Sequence, residues 1–263
     1  MSETIDTPYS AEPAPTLAYR WRHSTLVPIT HVQAVALDQL LGIERQKAAL
    51  VQNVQQFVSG RPANHVLLTG SRGTGKSSLV KALLTRFAAE GLRVVEVHPH
   101  DLVDLPDVVA PLREREERFL LYVDDFSVAN NDRALMALKT ALDGGIEEPA
   151  ENVLIVATSN RRYLMPTMKA DNNEFRWEDG ELQAGESTEE KVSLSERFGL
   201  WLSFPAFSQD QYLDAVRLHL GLLGCTQWSN ELQVLALRWA LNRASRSARV
   251  ARQFAQDYAG RGA

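Results

Sequence analysis

Residues 65–78 read His-Val-Leu-Leu-Thr-Gly-Ser-Arg-Gly-Thr-Gly-Lys-Ser-Ser. The first five form a short apolar run that is typical of a strand, and a helical pattern follows over Lys76–Glu90 until Gly91 ends it. Between the two, Gly70–Ser77 matches G-x-x-x-x-G-K-[ST] in full. The spacing therefore predicts a strand, a glycine-rich phosphate-binding loop (P-loop) and a helix, in that order.

This motif predicts a site for a nucleoside triphosphate with Mg²⁺, and ATP and Mg²⁺ are the expected cofactors. The glycines let backbone N–H groups turn toward phosphates, and the helix N-terminus adds partial positive charge. Lys76 is expected to reach the β- and γ-phosphates, and the Ser77 hydroxyl to ligate Mg²⁺. The predicted nucleotide-binding residues in this segment are Gly70, Ser71, Arg72, Gly73, Thr74, Gly75, Lys76, Ser77 and Ser78.

A P-loop needs a carboxylate at the end of a neighbouring buried strand. The uncharged run Phe119–Val123 is followed directly by Asp124 and Asp125. Asp124, where the strand emerges, is expected to contact Mg²⁺ through water, and Asp125 to act as the general base toward the attacking water.

Strand and helix patterns alternate around these motifs. Further strands are predicted at 93–97, 153–157 and 200–204, and further helices at 44–58 and 133–142. The fold class is therefore α/β, with a parallel five-stranded sheet and helices on both faces over residues 31–206. Only helices are predicted from Ser208 onward, which makes residues 207–263 a small helical domain. Residues 1–30 are expected to be a disordered or extended tail, and the polar stretch 167–193 a surface insertion with a hairpin around residues 179–180.

Composition limits the classes of function. The formal net charge of −5 argues against a protein coated in nucleic-acid-binding charge. Residues 238–263 nevertheless carry six arginines against one aspartate, so a nucleic-acid partner stays open. No apolar run reaches the roughly 18 residues of a membrane span, and residues 1–8 lack the pattern of a signal peptide. A cytoplasmic protein without a membrane partner is predicted.

Taken together, these segments resemble the AAA+ ATPases over residues 37–254. The resemblance implies that Asn160, which ends the run Ala157-Thr158-Ser159-Asn160, is the sensor 1 residue that positions the attacking water. It also implies that Leu41, Gly42 and Ile43 pack around the adenine, an ordinary helix entry being the alternative.

Two arginine segments extend this resemblance. Arg197, in Leu194-Ser195-Glu196-Arg197-Phe198, is similar to an arginine finger that reaches the γ-phosphate of a neighbouring subunit, which implies a homo-oligomer. The alternative is a surface salt bridge with Glu196 or another acid. Arg249 fits the sensor 2 arginine of the helical lid, with Arg252 as the alternative.

The longest similar runs are residues 60–64, 157–162 and 197–204, which are typical of a bacterial family of predicted AAA+ ATPases of unknown function. One departure from the superfamily is Asp125, because many members carry glutamate there. Aspartate is one methylene shorter, so slow hydrolysis is a consistent expectation. The predicted catalytic set is Lys76, Asp125, Asn160 and Arg197.

Three functions follow as hypotheses. The first is an oligomeric ATPase that remodels or loads an unidentified macromolecular partner. The second is a nucleotide-gated binding switch with little intrinsic turnover. The third is a nucleic-acid loader that resembles an initiator.

Overall fold

The computed structural model describes residues 16–126, 132–143, 148–160, 175–178, 181–184, 194 and 196–261. The strands are β1 (Ala18–Arg22), β2 (Thr25–Pro28), β3 (Val66–Gly70), β4 (Leu92–Glu96), β5 (Arg118–Val123), β6 (Val153–Ser159), β7 (Phe175–Glu178), β8 (Glu181–Ala184) and β9 (Leu200–Phe204). The helices are α1 (Glu44–Val58), α2 (Lys76–Phe87), α3 (Leu105–Arg113), α4 (Asp132–Asp143), α5 (Gln209–Leu222), α6 (Asn230–Asn242) and α7 (Ala248–Gly260).

The main sheet has seven strands in the order β2-β1-β4-β5-β6-β3-β9. Every neighbouring pair is parallel except β1 with β2. The β3, β5 and β6 strands therefore end at the same edge of the sheet, so the segments that follow them meet there, as ligand sites in open α/β sheets do.

The predicted α/β fold is confirmed, and the five predicted strands form the sheet from β4 to β9. The sheet is larger than predicted, because β1 and β2 add two strands beside β4. Residues 18–28 are thus part of the sheet and not of the tail that was expected over residues 1–30. The signal is weak in the sequence because Arg20 and Arg22 flank Trp21, and the two buried residues of β1, Ala18 and Trp21, are three positions apart and do not alternate with polar ones.

Helices cover both faces of the sheet and bury its apolar residues. On one face α1 and α2 pack on residues such as Leu68 and Leu120, and on the other α3 and α4 pack on residues such as Leu121 and Ile155. The α3 helix was not predicted, because its sequence contains two prolines. Pro106 lies in the first turn of α3, where the missing N–H costs nothing.

Residues 209–260 form the predicted helical region, with its own core around Tyr212, Val216 and Phe254. The capping box at Ser208 and Gln211 is present in both directions. The predicted hairpin in the polar insertion is confirmed too, since β7 and β8 pair antiparallel. Within the described part of the chain, no helix is long and apolar enough to cross a bilayer.

Candidate nucleotide site

The P-loop leaves the carboxyl end of β3 and leads into α2, and its path depends on glycine. Gly70, Gly73 and Gly75 have φ angles of 129°, 74° and 100°, a region that other residues rarely adopt. A Cβ atom on Gly70 would also overlap the carbonyl oxygen of Phe204 in β9. The motif glycines are therefore required by the backbone path itself.

Lys76 lies inside this loop and is only 6% exposed. Its Nζ donates hydrogen bonds to the carbonyl oxygens of Gly70 and Ser71, at 2.9 and 2.8 Å, and to Oδ1 of Asn160 at 3.2 Å. Burial lowers the pKa of Lys76 to about 8, although nearby carboxylates oppose the shift. A desolvated cation in this position gains from an anionic ligand such as a triphosphate.

The two predicted Mg²⁺ residues are adjacent. Ser77 Oγ donates to Asp124 Oδ1 at 2.9 Å, and Thr158 Oγ1 donates to the same oxygen at 2.6 Å. Burial opposes ionisation of Asp124, but hydrogen bonds, first of all the one from Thr158, outweigh it and lower its pKa. An ionised carboxylate beside a hydroxyl is an all-oxygen donor set, which suits Mg²⁺.

Asp125 and Asn160 are also brought together. Asn160 Nδ2 donates to Asp125 Oδ1, while Asn160 Oδ1 accepts from Lys76. Asn160 therefore links the predicted base to the predicted phosphate-binding lysine, which are distant in sequence. Asp125 is more than half exposed and lies 4.0 Å from Arg72, so its carboxylate is open to water on one side.

The backbone at Asp125 offers a reason for the departure from glutamate. Asp125 has φ of +55°, and its N–H donates to Thr158 Oγ1 at 2.9 Å. Among residues other than glycine, aspartate and asparagine adopt this left-handed conformation most readily. The turn after β5 thus favours the shorter carboxylate.

A cavity of about 710 Å³ separates the P-loop from the helical domain, within the usual range for a small-molecule site. On the sheet side it is lined by Lys76, Ser77, Ser78, Asp124, Asp125 and Asn160, with Arg72, Gly73 and Gly75 of the loop. On the helical side it is lined by His219, Leu222, Leu223, Arg249, Arg252 and Gln256. Both sensor 2 candidates therefore face the cavity, and the choice between Arg249 and Arg252 stays open.

Contact between the P-loop and the helical domain is close at Gly73. A Cβ built there would lie 2.9 Å from Ser247 Oγ and 3.1 Å from Arg249 Cβ. The N-terminus of α7 therefore packs directly on the loop that would hold the phosphates.

The predicted adenine residues do not line this large cavity. Leu41 and Ile43 line a separate gap of about 20 Å³ beside Gly75 and Ala248, which is too small for a purine ring. Gly42, with φ of +74°, lies against Gln211 of the helical domain. The neighbouring residues Gln39 and Leu40 line both spaces, and the assignment of Leu41, Gly42 and Ile43 to the adenine stays a prediction.

Arg197 forms an ion pair with Asp143, its Nε lying 2.7 and 2.8 Å from the two carboxylate oxygens. It precedes β9, whose first residue, Leu200, pairs with Val66 at the start of β3. Arg197 thus lies near the amino-terminal ends of the parallel strands, whereas its own P-loop follows the carboxyl end of β3. The length of a five-residue strand, about 16 Å, separates the two. A role at a γ-phosphate requires the nucleotide of another subunit.

Thr158, His219 and Tyr122 are among the residues at the site that were not predicted. Thr158 joins Asp124 to Asp125, His219 reaches the cavity from α5, and Tyr122 is buried beside Asp124. Thr158 stood within a recognised run without a role of its own. No local pattern identifies His219 or Tyr122, because helical and strand periodicity mark both as ordinary packing positions.

Several arginines of the basic C-terminal segment have contacts of their own. Arg249 and Arg252 line the cavity, Arg261 pairs with Asp257 at 2.8 Å, and Arg243 stacks on the ring of Trp239 at 3.6 Å. Of these contacts, the pair between Arg261 and Asp257 offsets positive charge, and the others leave the arginines charged.

A model of the family described as "Protein of unknown function (DUF815)" matches residues 14–262, and a search of curated proteins finds no significant match. Among solved structures, the Aeropyrum pernix Orc1 protein in complex with DNA superposes with a TM-score of 0.53 at 16% identity, over 82% of this chain and 61% of that one. The Thermotoga maritima RuvB Holliday junction branch migration motor superposes with a TM-score of 0.46 at 17% identity, over 83% of this chain and 70% of that one. At such identities the likeness concerns the fold alone.

Proposed function

The chain belongs to the family described as "Protein of unknown function (DUF815)", its fold is that of the AAA+ superfamily, and we propose that it binds and hydrolyses ATP with Mg²⁺. The observation that carries the proposal is the double contact of Asn160, which accepts from Lys76 and donates to Asp125. One amide thereby connects a phosphate-binding cation to a candidate base. Ser77 and Asp124 would hold the Mg²⁺, which supplies charge neutralisation at the phosphates when bound.

In the proposed reaction, water attacks the γ-phosphorus while Asp125 accepts its proton. The bond between the γ-phosphorus and the β–γ bridging oxygen breaks, and ADP and inorganic phosphate leave. Asn160 orients the water, and Lys76 holds the phosphate oxygens on which charge accumulates. The short Asp125 side chain and its exposure support slow turnover, because precise placement of the base is a large part of its effect.

We further propose that the active site is completed between copies of the chain. Arg197 lies at the amino-terminal ends of the parallel strands, away from its own P-loop, and forms an ion pair with Asp143. It would therefore act on the nucleotide of a neighbouring subunit. An arginine finger contributes on the order of 10³-fold or more to turnover. A cytosolic homo-oligomer that remodels or loads a macromolecular partner is the function that this arrangement supports best.

Subunit mixing tests the proposal. Arg197→Ala and Lys76→Ala should each reduce Mg²⁺-dependent turnover by about 10³-fold when assayed alone. A mixture of the two should recover about a quarter of the wild-type rate, since random assembly of a ring pairs an intact P-loop with an intact arginine at that frequency. The turnover rate per subunit of the wild type should also rise with protein concentration.

Asp143→Asn is the matched control, because it removes the charge that holds Arg197 and keeps the arginine itself. It should retain turnover and still complement Lys76→Ala. If Arg197→Ala alone kept wild-type turnover, Arg197 would serve a structural ion pair and not catalysis, and the shared-site proposal would be wrong.

The contact between Gly73 and the N-terminus of α7 favours a second candidate, a nucleotide-gated switch. Phosphates held by the P-loop would change the packing of Ser247 and Arg249 on that loop and so the angle of the helical domain. Asp125→Asn, which should bind ATP without hydrolysing it, would then capture partners better with ATP than with ADP. Equal capture with both nucleotides would exclude the switch.

A further inference from the structure

Tyr122 is the penultimate residue of β5, two positions before the predicted Mg²⁺ residue Asp124. Its ring belongs to the core between the sheet and the helices α1 and α2, and the side chain is only 6% exposed. Neighbouring strand positions on the same face carry apolar side chains, as a buried parallel strand requires. A hydroxyl at this point therefore needs an explanation that packing alone does not supply.

The hydroxyl makes no hydrogen bond of normal geometry within the described parts of the chain, although Asp124, Ser77 and Thr158 lie close enough to interact with it. Leaving a buried polar group unpaired costs about 1–3 kcal/mol, so such groups in folded proteins usually mark an ordered water, an ion or a catalytic role. Phenylalanine would fill the same space at no such cost.

The surroundings of the hydroxyl point to its partner. It lies beside Ser77, Asp124 and Thr158, which are the residues of the proposed Mg²⁺ site. Ser77 and Thr158 both donate to one oxygen of Asp124, Oδ1. The Tyr122 hydroxyl is a further hydrogen-bonding group at this cluster.

A phenol hydroxyl can both donate and accept a hydrogen bond. Mg²⁺ in proteins keeps several of its waters and is often held by one carboxylate. Such waters are strong hydrogen-bond donors, and a phenol oxygen can accept from them.

We propose that Tyr122 is a positioning residue for magnesium, whose hydroxyl hydrogen-bonds a water of the Mg²⁺ shell at Asp124. The inference rests on the proposed Mg²⁺-dependent nucleotide binding and adds a residue that holds the metal's hydration shell and contacts no nucleotide. The unpaired hydroxyl should lower the free energy of unfolding of the ligand-free protein. This loss should be recovered when Mg²⁺ and nucleotide bind.

The test is Tyr122→Phe in the full chain, which removes a single oxygen. A fluorescent ATP analogue is titrated in EDTA and then at increasing Mg²⁺. The variant should bind the analogue normally in EDTA, and the Mg²⁺ concentration for half-maximal enhancement should rise about three- to tenfold, as loss of one hydrogen bond implies. Without ligand its melting temperature should equal or exceed that of the wild type, and the rise in melting temperature with Mg²⁺ and ATP should be smaller.

Tyr212→Phe is the matched control. Tyr212 is also a buried tyrosine, but its hydroxyl donates to the carbonyl oxygen of Ala236 at 2.9 Å, within the helical domain. This variant should lose thermal stability and keep the wild-type Mg²⁺ dependence.

An unchanged Mg²⁺ dependence in Tyr122→Phe, with a normal wild-type response, would overturn the role of Tyr122 and leave the proposed function intact. A clear loss of stability in ligand-free Tyr122→Phe would also overturn it, since the hydroxyl would then have an internal partner. If the wild type showed no Mg²⁺-enhanced nucleotide binding, the proposed function would fail first and the role of Tyr122 with it.

Discussion

Thr158→Val should remove the hydroxyl that hydrogen-bonds to both Asp124 and Asp125 at the end of β5. The Thr158 hydroxyl, in a side chain that is 1% exposed, donates to Asp124 Oδ1 at 2.6 Å and accepts from the Asp125 N–H at 2.9 Å. Valine has nearly the same shape and can do neither. The substitution therefore tests the hydrogen bonds with little change in packing.

The expected loss can be worked out from these two contacts. The hydrogen bond to an ionised carboxylate contributes about 1.5–3 kcal/mol, and an unpaired N–H costs about 1–3 kcal/mol. Allowing for partial relaxation, the free energy of unfolding should fall by about 3 kcal/mol. For a chain of this size that corresponds to a melting temperature lower by roughly 6–12 °C.

Urea unfolding followed by circular dichroism measures this loss, and nucleotide turnover measures its consequence for Asp125. Because Asp125 loses the contact that anchors its backbone, turnover should fall on the order of 10²-fold. Thr158→Ser keeps the hydroxyl and should lose about 1 kcal/mol or less. If the valine and serine variants were equally stable and equally active, the network through Thr158 would have no energetic role.

Two further substitutions test the loop and the sheet. Gly73→Ala should weaken binding of a fluorescent ATP analogue about tenfold. The alanine Cβ would collide with Ser247 and Arg249, and the positive φ would add a backbone strain of about 1–2 kcal/mol. Gly91→Ala is the matched control. Gly91 also has a positive φ, +87°, but no described atom lies within 4 Å of a Cβ built there, so this variant has the backbone strain without the contact. Equal affinities of the two variants for the ATP analogue would exclude the contact between loop and helix as the cause. Burial lowers the pKa of His65 to about 4 from 6.5. Between these pH values the unfolded chain binds more protons than the folded one. The free energy of unfolding therefore falls as the pH falls, by up to about 3 kcal/mol for this group. His65→Gln should remove that part of the acid destabilisation in urea titrations at about pH 7, 5.5 and 4.5, and an unchanged pH dependence would contradict the assignment.

Local chemistry explains why much of the site was predictable. The P-loop motif specifies a glycine-dependent backbone path, and its residues lie where the motif placed them. Ser77 and Asp124 were predicted as the Mg²⁺ residues because a P-loop needs a carboxylate at the end of a neighbouring buried strand, and Ser77 Oγ lies 2.9 Å from Asp124 Oδ1. The α1 helix was predicted with the bounds Glu44–Val58 that it has, since its apolar positions recur with helical period.

Other features carry no such local signal. The β1 strand is half polar because it lies near the edge of the sheet, so its pattern did not separate it from a tail. Gln39 and Leu40 line the large cavity and Leu41 and Ile43 do not, because the cavity wall depends on how the helical domain packs on the loop. Arg197 was open to two interpretations, and only the fold shows that it pairs with Asp143 within the chain.

What the sequence by itself determined is the glycine-rich loop with its lysine and serine, together with the alternation of strands and helices around it. Both depend on residues close together in the chain, whose side-chain period and backbone freedom are local properties. The tertiary structure alone decided which distant groups meet: Asn160 between Lys76 and Asp125, Thr158 between the two aspartates, and Tyr122 beside Asp124. Those contacts join residues on different strands and helices, and side-chain periodicity does not encode their packing.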